Sequence, residues 1–230
     1  MKKLLGFSIF LVFVLIASLT AEAKVTLPAI FSDNMVLQQN TQVNVWGKAA
    51  PGEKVTVKAS WLDKPVTAKA AANGKWTVKL KTPKATTNQS VTVSGENEIT
   101  INNVLIGEVW LCTGQSNMEF PVSRHPDVKW NTGMLNEAEE LKDADYPEIR
   151  LFHVKHQLAH EGELDDCEGE WLVCNPKNLY DFSAVGFVFG RKLYKELKMP
   201  VGLIQSTWGG THAESWTKLD VMKKNPLYAD

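Results

Sequence analysis

The pattern of apolar and polar positions changes once along the chain, near residue 105. Between Lys24 and Ile106 apolar and polar residues alternate with the period of half-buried β-strands. Turn-forming residues separate the alternating stretches at Pro51-Gly52, at Asn73-Gly74 and at residues 95–97. This pattern predicts a small antiparallel β-sandwich over residues 24–106.

Two stretches of this region, "KVTVKASW" and "KWTVKL", place their apolar side chains on one face of a strand. The residues predicted to form the core in this way are Val55, Val57, Ala59, Trp61, Trp76, Val78 and Leu80. Trp61 and Trp76 could instead stack on sugar rings, but their register with apolar neighbours favours a place in the core.

From Gly107 onward short apolar strands alternate with amphipathic helices. Strands are predicted for "EVWLCT", "EIRLFHV" and "PVGLIQST", and helices for "GMLNEAEELKD" and "DFSAVGFVFGRKLYKELKM". The longer helix is predicted to present one apolar side formed by Phe182, Val185, Phe189, Leu193 and Leu197. Strands and helices in this order, joined by right-handed crossovers, predict an α/β fold with a parallel sheet and helices on both faces.

Two unusual turns follow predicted strands of this second region. One is "TGQSNM", which begins at Thr113, and the other is "WGGTHAESW", which follows Thr207. Ligands of parallel sheets bind beyond the carboxyl ends of the strands, so both turns lie where a site is expected. Ser116 in the first turn has two interpretations from its spacing alone, as a helix cap or as a nucleophile exposed at a strand end.

The N-terminus has the pattern of a secretory signal peptide, predicted over residues 1–23. Lys2 and Lys3 precede a long apolar run, and Ala21 and Ala23 provide the small residues of a cleavage site before Lys24. We therefore expect an exported protein, in the periplasm or outside the cell. An uncleaved membrane anchor is the alternative, because the apolar run approaches the minimum length of a spanning helix.

The charges of the chain nearly cancel, with 25 Lys and Arg residues against 26 Asp and Glu residues. No strong field is available to attract a polyanion or an acidic lipid surface. We therefore expect neither nucleic acid nor, after signal cleavage, a membrane among the partners.

The three cysteines and a pair of histidines are the candidates for covalent and metal chemistry. Export makes a disulfide possible, and Cys167 and Cys174 are close enough in sequence to pair across a turn. Cys112 lies in an apolar strand and is predicted to be a buried free thiol. His153 and His156 would point to opposite faces of a strand and have no third ligand nearby in sequence, so no metal or other cofactor is predicted.

Three long motifs carry a family resemblance: "GEVWLCTGQSNMEF", "PVGLIQSTWGGTHAESW" and residues 171–197. They resemble the sialate O-acetylesterases, secreted serine esterases of the SGNH-hydrolase superfamily. Residues 27–55 resemble the β-rich segment that precedes the catalytic domain of that family. The resemblance implies removal of O-acetyl groups from carbohydrates, with Ser116 as the nucleophile and Gly209 or Gly210 as the oxyanion-hole glycine. The partner that it implies is an O-acetylated sugar or a sialoglycan.

The residue types agree with this chemistry. A turn from a strand into a helix projects the Ser116 hydroxyl away from the sheet and leaves the backbone N–H of Ser116 facing the oxyanion. Glycines at 209 and 210 allow the backbone of a second loop to approach the substrate closely. Three further polar residues are expected either to bind substrate hydroxyls or to satisfy backbone groups: Gln115, Asn117 and Glu214.

The family pattern continues through a block with an oxyanion-hole Asn and a final Asp-x-x-His that supplies the base, and the 230 residues contain no Asp-x-x-His. None of the five histidines matches that base: His125, His153, His156, His160 and His212. Residues 107–230 are therefore predicted to form an incomplete SGNH or flavodoxin-like domain, and the chain alone is expected to be nearly inactive. The alternative is a non-catalytic, secreted carbohydrate-binding protein.

Overall fold

The computed structural model describes residues 24–124, 133–159 and 162–228, so the predicted signal peptide lies outside the described residues. The strands are β1 (Val36–Gln38), β2 (Gln42–Lys48), β3 (Lys54–Ala59), β4 (Val66–Lys69), β5 (Lys75–Lys81), β6 (Thr86–Ser94), β7 (Glu98–Gly114), β8 (Tyr146–His153), β9 (Trp171–Cys174) and β10 (Val201–Thr207). The α-helices are α1 (Ser116–Glu119), α2 (Glu137–Lys142), α3 (Pro176–Leu179), α4 (Ala184–Leu197) and α5 (Leu219–Met222). Short 3-10 helices cover Ala213–Trp216 and Pro226–Tyr228.

One eight-stranded sheet extends through both regions, in the order β4-β3-β6-β7-β10-β8-β9, and β1 pairs with β7 outside this path. The 17-residue strand β7 connects the two regions, because it pairs with β6 before residue 107 and with β10 after it. The boundary predicted at residue 106 therefore falls inside a continuous strand, and the division into two domains stays a prediction.

The strands of the first region pair antiparallel, except that β1 runs parallel to β7, and side chains of β3 and β5 alternate between core and solvent. β3, β4, β6 and β7 pair in the large sheet, while β2 and β5 form a separate two-stranded sheet. The predicted core residues of β3 and β5 are buried, and Trp61 is half-buried with its indole N–H donating to the carbonyl of Lys81 at 2.9 Å. Residues of both sheets join one hydrophobic cluster, while the predicted sandwich as such stays a prediction.

The second region confirms the predicted α/β class. β10 is parallel to β7 on one side and to β8 on the other, as expected for the three predicted strands. The sheet is mixed, because β9 runs antiparallel to β8. A separate hydrophobic cluster lies beneath these strands, with Phe187 of α4 and Leu203 of β10 among its fully buried members.

The face of α4 that packs on the sheet differs from the prediction. Val185, Phe189 and Leu197 are 51%, 40% and 44% exposed, while the buried residues of the helix are Ala184, Gly186, Phe187 and Gly190. A Cβ atom at Gly190 would lie 2.5 Å from a methyl carbon of Leu203, so any larger residue would require the Leu203 side chain to shift for the helix to approach the sheet this closely. The close approach of the backbone, rather than the number of large apolar side chains, decides which face is buried.

An apolar edge remains open next to this helix. Within the described residues, the strand pairing of Glu108–Gly114 involves β10 alone, so the other edge of this stretch has no strand partner. Trp110 and Leu111 are 42% and 61% exposed there, and the ring of Trp110 meets Phe189 edge to face at 5.0 Å. None of the helices in the described ranges has the length and apolarity to cross a membrane.

Candidate active site

Ser116 lies at the junction of β7 and the short helix α1. Gly114 ends the strand with a φ of 143°, a conformation that favours glycine, and Gln115 occupies the N-cap position without a side-chain capping bond. Ser116 is therefore inside the helix and is not its cap. Its side chain is exposed, and neither its hydroxyl nor its backbone N–H has a hydrogen-bond partner among the described residues.

The second predicted loop meets the first at this point. The backbone N–H of Trp208 donates to the carbonyl of Gly114 at 3.0 Å, and the side-chain amide of Gln115 donates to the carbonyl of Thr211 at 2.9 Å. A Cβ atom at Gly209 would lie 3.6 Å from both Cα and Cβ of Ser116. The parallel pairing of β7 with β10 thus brings the two sequence motifs together.

Glu119, at the end of α1, connects the two loops by binding Gly209, one of the two glycines predicted to supply an oxyanion donor. One carboxylate oxygen accepts the backbone N–H of Gly209, and the other lies 2.9 Å from Nε2 of His156. The N–H of Gly210 has no partner among the described residues, and a Cβ atom there would meet nothing within 4 Å. The backbone N–H groups of Ser116 and Gly210 are thus both without a partner among the described residues, one in each of the two loops.

His156 lies beyond the end of β8, where its ring covers one face of Trp208. The two rings are parallel to within 3° with centroids 4.2 Å apart, and Nε2 of His156 also lies 2.8 Å from the carbonyl oxygen of Thr207. The expectation that both histidines of "HVKH" belong to a strand is wrong for His156. From the sequence, His156 is weighed as a metal ligand and as the base, but no contact with Trp208 is predicted, and Glu119 is missed, although Glu119 stands within the quoted motif.

A buried glutamine holds the end of β10, which leads into the second loop. Gln205 is fully buried in β10, where its side-chain oxygen accepts the backbone N–H of Ser183 at 2.7 Å and its amide donates to Oγ1 of Thr207 at 3.0 Å. Ser183 in turn caps α4 by accepting the N–H of Gly186 at 3.0 Å. The end of β10 is therefore fixed against the start of α4, and the only sequence signal for this role is a lone amide within "VGLIQST".

The remaining predicted substrate contacts lie on the surface. Asn117 is exposed and its side chain has no hydrogen-bond partner among the described residues. Glu214 is exposed in a 3-10 helix, where it accepts a hydrogen bond from the Tyr228 hydroxyl at 3.2 Å. A bond from its own backbone N–H and the bond from Tyr228 hold the pKa of Glu214 below its usual value. Among the described residues, the hydrogen-bond partners of the Glu214 side chain include neither Ser116 nor Gly209.

All three cysteines are free in the structure, so the predicted bond between Cys167 and Cys174 is absent from it. Cys167 packs against the hydrophobic cluster of the first region and Cys174 belongs to that of the second. The residues leading to Cys174 form β9, which holds the chain extended where a turn was expected. Cys112 is buried as predicted. Cys174 is also buried, and this burial raises the pKa of its thiol to about 12.

His153 ends β8 and is half-buried, and burial lowers its pKa. No cluster of three or more His, Cys, Asp or Glu side chains suited to a metal ion occurs in the part of the chain that the structure describes. His125 and His160 lie outside the described residues.

Comparison with known proteins gives consistent relatives, although no protein-family profile matches the chain. The chain is 34% identical over 215 residues to the sialate O-acetylesterase of Mus musculus, which covers 85% of this chain and 38% of that protein. It is 33% identical to the sialate O-acetylesterase of Homo sapiens, covering 81% of this chain and 37% of the human protein. A crystal structure of a carbohydrate acetylesterase from Xanthomonas citri is 31% identical with a TM-score of 0.77, covering 88% of this chain and 44% of that one. The chain thus spans less than half the length of each of these relatives.

Proposed function

Because this chain belongs to the sialate O-acetylesterase family, we propose that it carries the nucleophile and part of the oxyanion hole of an esterase that removes O-acetyl groups from carbohydrates. The observation that supports this most directly is the state of Ser116, whose hydroxyl and N–H are both unoccupied beside the glycine turn. A serine in this position combines a nucleophile with an oxyanion donor in one residue.

In the proposed reaction Oγ of Ser116 attacks the acetyl carbonyl carbon and loses its proton to a base. The carbonyl oxygen becomes an oxyanion, which accepts hydrogen bonds from the N–H groups of Ser116 and Gly210. One such donor stabilises the transition state by roughly 3 kcal/mol. The sugar oxygen leaves with a proton, and water then hydrolyses the acetyl ester on Ser116.

Glu119 has a positioning role in this mechanism. By accepting the N–H of Gly209, its carboxylate holds the second loop in place while the N–H of Gly210 stays available. The base has no assignment within the described residues, since Nε2 of His156 is engaged by Glu119 and the carbonyl of Thr207. We propose that a histidine outside these residues supplies it.

A non-catalytic carbohydrate-binding protein is the second candidate. The observation that favours it is the bond between Glu119 and the N–H of Gly209, which engages one of the two glycine donors that the family resemblance implies. The two candidates differ in whether acetate is released.

The test is acetate release from O-acetylated N-acetylneuraminic acid and from acetylated xylan. The 230-residue chain is compared with the protein translated from the complete reading frame and with its Ser116→Ala and Asn117→Ala variants. We expect Ser116→Ala to lower kcat roughly 10⁶-fold, since nucleophile and base act as a unit. Asn117→Ala is the matched control, an exposed neighbour on the same helix, and should retain far more activity. Full activity in Ser116→Ala would refute the assignment of the nucleophile.

We also propose that the protein is exported, on the basis of the basic, apolar and small-residue pattern of residues 1–23. The mass of the exported product should correspond to a start near Lys24. Recovery of an intact Met1 end would contradict cleavage.

A further inference from the structure

A cavity of about 350 Å³ lies beside the turn that carries Gly209 and Gly210. Its walls come from the segment after β8 on one side and from the end of β10 with the following 3-10 helix on the other. The residues used below are Lys155, His156, Thr207, Trp208, Thr211 and Trp216. The volume lies within the range of sites for small ligands, which is about 300–1,000 Å³.

Trp216 provides the aromatic surface of this cavity that is available to a ligand. It is 39% exposed, and its indole N–H donates to Oγ1 of Thr211 at 2.8 Å. That hydroxyl donates in turn to the carbonyl of Trp208 at 2.7 Å. The hydrogen bond of its indole N–H thus fixes the orientation of the Trp216 ring. Trp208 is less available to a ligand, because His156 covers one face of its ring.

One wall of the cavity continues into the turn that approaches Ser116. Trp208, in its wall, is followed by Gly209, whose Cβ position would lie 3.6 Å from Ser116. The cavity and Ser116 therefore both lie next to the turn of Trp208 and Gly209.

The composition of the cavity walls indicates the chemistry of the ligand. No carboxylate lines the cavity within the described residues, and its ionisable side chains are Lys155 and His156. Its hydroxyl and amide side chains belong to Gln157, Ser206, Thr207, Thr211 and Ser215. Both ionisable side chains are paired with carboxylates, Lys155 with Glu168 and His156 with Glu119. A ring with one apolar face and several hydroxyl groups matches these walls, because apolar ring faces stack on indoles while hydroxyls need hydrogen-bond partners.

We propose that this cavity is a sugar subsite, in which one pyranose ring of the carbohydrate stacks on Trp216 while its acetyl group reaches Ser116 past Gly209. This inference rests on the proposed function, because it assigns the sugar of the same substrate. It adds a binding surface for the sugar ring, separate from the groups that act on the ester.

The test measures binding of sugars that carry no O-acetyl group to the ¹⁵N-labelled 230-residue chain. The probes are N-acetylneuraminic acid and methyl β-xylopyranoside, and the readout is the indole N–H signals of the eight tryptophans. Loss of one signal in Trp216→Phe assigns the peak of Trp216. At least one of the two sugars should shift that peak in a saturable manner.

Two tryptophan variants separate the subsite from general surface binding. Trp216→Ala should weaken the binding about tenfold, the loss expected for one stacked ring. Trp110→Ala is the matched control, since Trp110 is similarly exposed at 42% but lies in β7 outside the cavity walls, and it should bind as the parent does. Thr211→Val, which removes the hydroxyl that orients the indole, should give an intermediate loss. The subsite is refuted if neither sugar shifts the Trp216 signal or if Trp216→Ala binds as tightly as the parent.

Failure of the subsite and failure of the proposed function give different results. Ser116→Ala should bind both sugars unchanged, because neither probe contains an ester. Normal sugar binding without acetate release from the complete protein would count against the esterase alone. Acetate release that is insensitive to Trp216→Ala would count against the subsite alone.

Discussion

The two regions joined by β7 use their apolar residues differently. In residues 24–106 the residues of β3 and β5 that the alternating pattern assigns to the core are buried. In residues 107–228 three of the five apolar residues assigned to one side of α4 are at least 40% exposed. Alternation in a strand allows only two faces, so the pattern identifies the buried one, whereas a helix can rotate until its smallest residues meet the sheet.

The regions also differ in how they treat polar groups. The first region uses its backbone groups mainly in strand pairing, although the indole N–H of Trp76 is buried there without a hydrogen-bond partner among the described residues. The second region leaves the hydroxyl and N–H of Ser116 unoccupied at a strand end while anchoring the surrounding loops through Glu119 and Gln205. This difference is typical of a supporting structure next to a reactive site, where binding groups lie on loops held by a rigid scaffold.

The largest effect is expected from two phenylalanines of α4, which test the corrected face of this helix. Phe187 is fully buried and Phe189 is 40% exposed. Phe187→Ala should lower the free energy of unfolding by about 3–5 kcal/mol, because it opens a cavity in the second core. Phe189→Ala should cost only about 1 kcal/mol, from its edge contact with Trp110. Urea unfolding of both variants provides the measurement, and equal losses would contradict the assignment of Phe187, rather than Phe189, to the buried face.

A smaller effect is expected where a buried arginine joins the two regions. Arg150 of β8 is 4% exposed and donates to Oδ1 of Asn34 at 2.9 Å and to Oδ1 of Asn103 at 3.4 Å. Burial lowers the pKa of this guanidinium. Arg150→Met keeps the aliphatic stem and should lower the free energy of unfolding by about 2 kcal/mol, as expected for lost hydrogen bonds to a charged group.

Arg150→Lys is the control that keeps the positive charge but lacks the planar guanidinium group. Its loss of unfolding free energy should be smaller than that of Arg150→Met. Chemical denaturation measures all three proteins. If Arg150→Met were as stable as the parent, the cost of burying the charge would cancel its bonds to the first region.

The smallest effect concerns the cysteines, where we expect a difference in reactivity and none in stability. Burial raises the pKa of all three thiols, and raises that of Cys174 to about 12, so Cys112 and Cys174 should resist a thiol reagent at pH 8. Cys167, which is half-buried, should react first. Mass spectrometry after labelling of the native protein identifies the modified residue. Reactivity of Cys167 that appears only after reduction would instead show that the disulfide with Cys174 forms.

The sequence predicted the elements better than their contacts. The strands, the α/β class of the second region and the meeting of the Ser116 and Gly209 turns follow from periodicity and strand order, which are local properties. The family resemblance, confirmed by the relatives, pointed to two loops as candidate parts of one site, the loop with Ser116 and the loop with Gly209 and Gly210.

Long-range contacts explain what the sequence did not reveal. Glu119 meets Gly209 from 90 positions away and His156 meets Thr207 from 51 positions away, and no spacing rule connects residues so far apart. The antiparallel edge strand β9 and the glycine-lined face of α4 likewise depend on neighbours in space. Residues that support a site through tertiary contacts leave little local pattern to read.

The continuity of β7 has a consequence for any attempt to divide the protein. A protease cut or a truncation at residue 106 would sever one strand in the middle of its 17 residues, and it would separate Phe152 and Trp171 from the hydrophobic cluster that they share with the first region. Neither half should then survive as an independent module, and heating should melt both halves in a single cooperative transition.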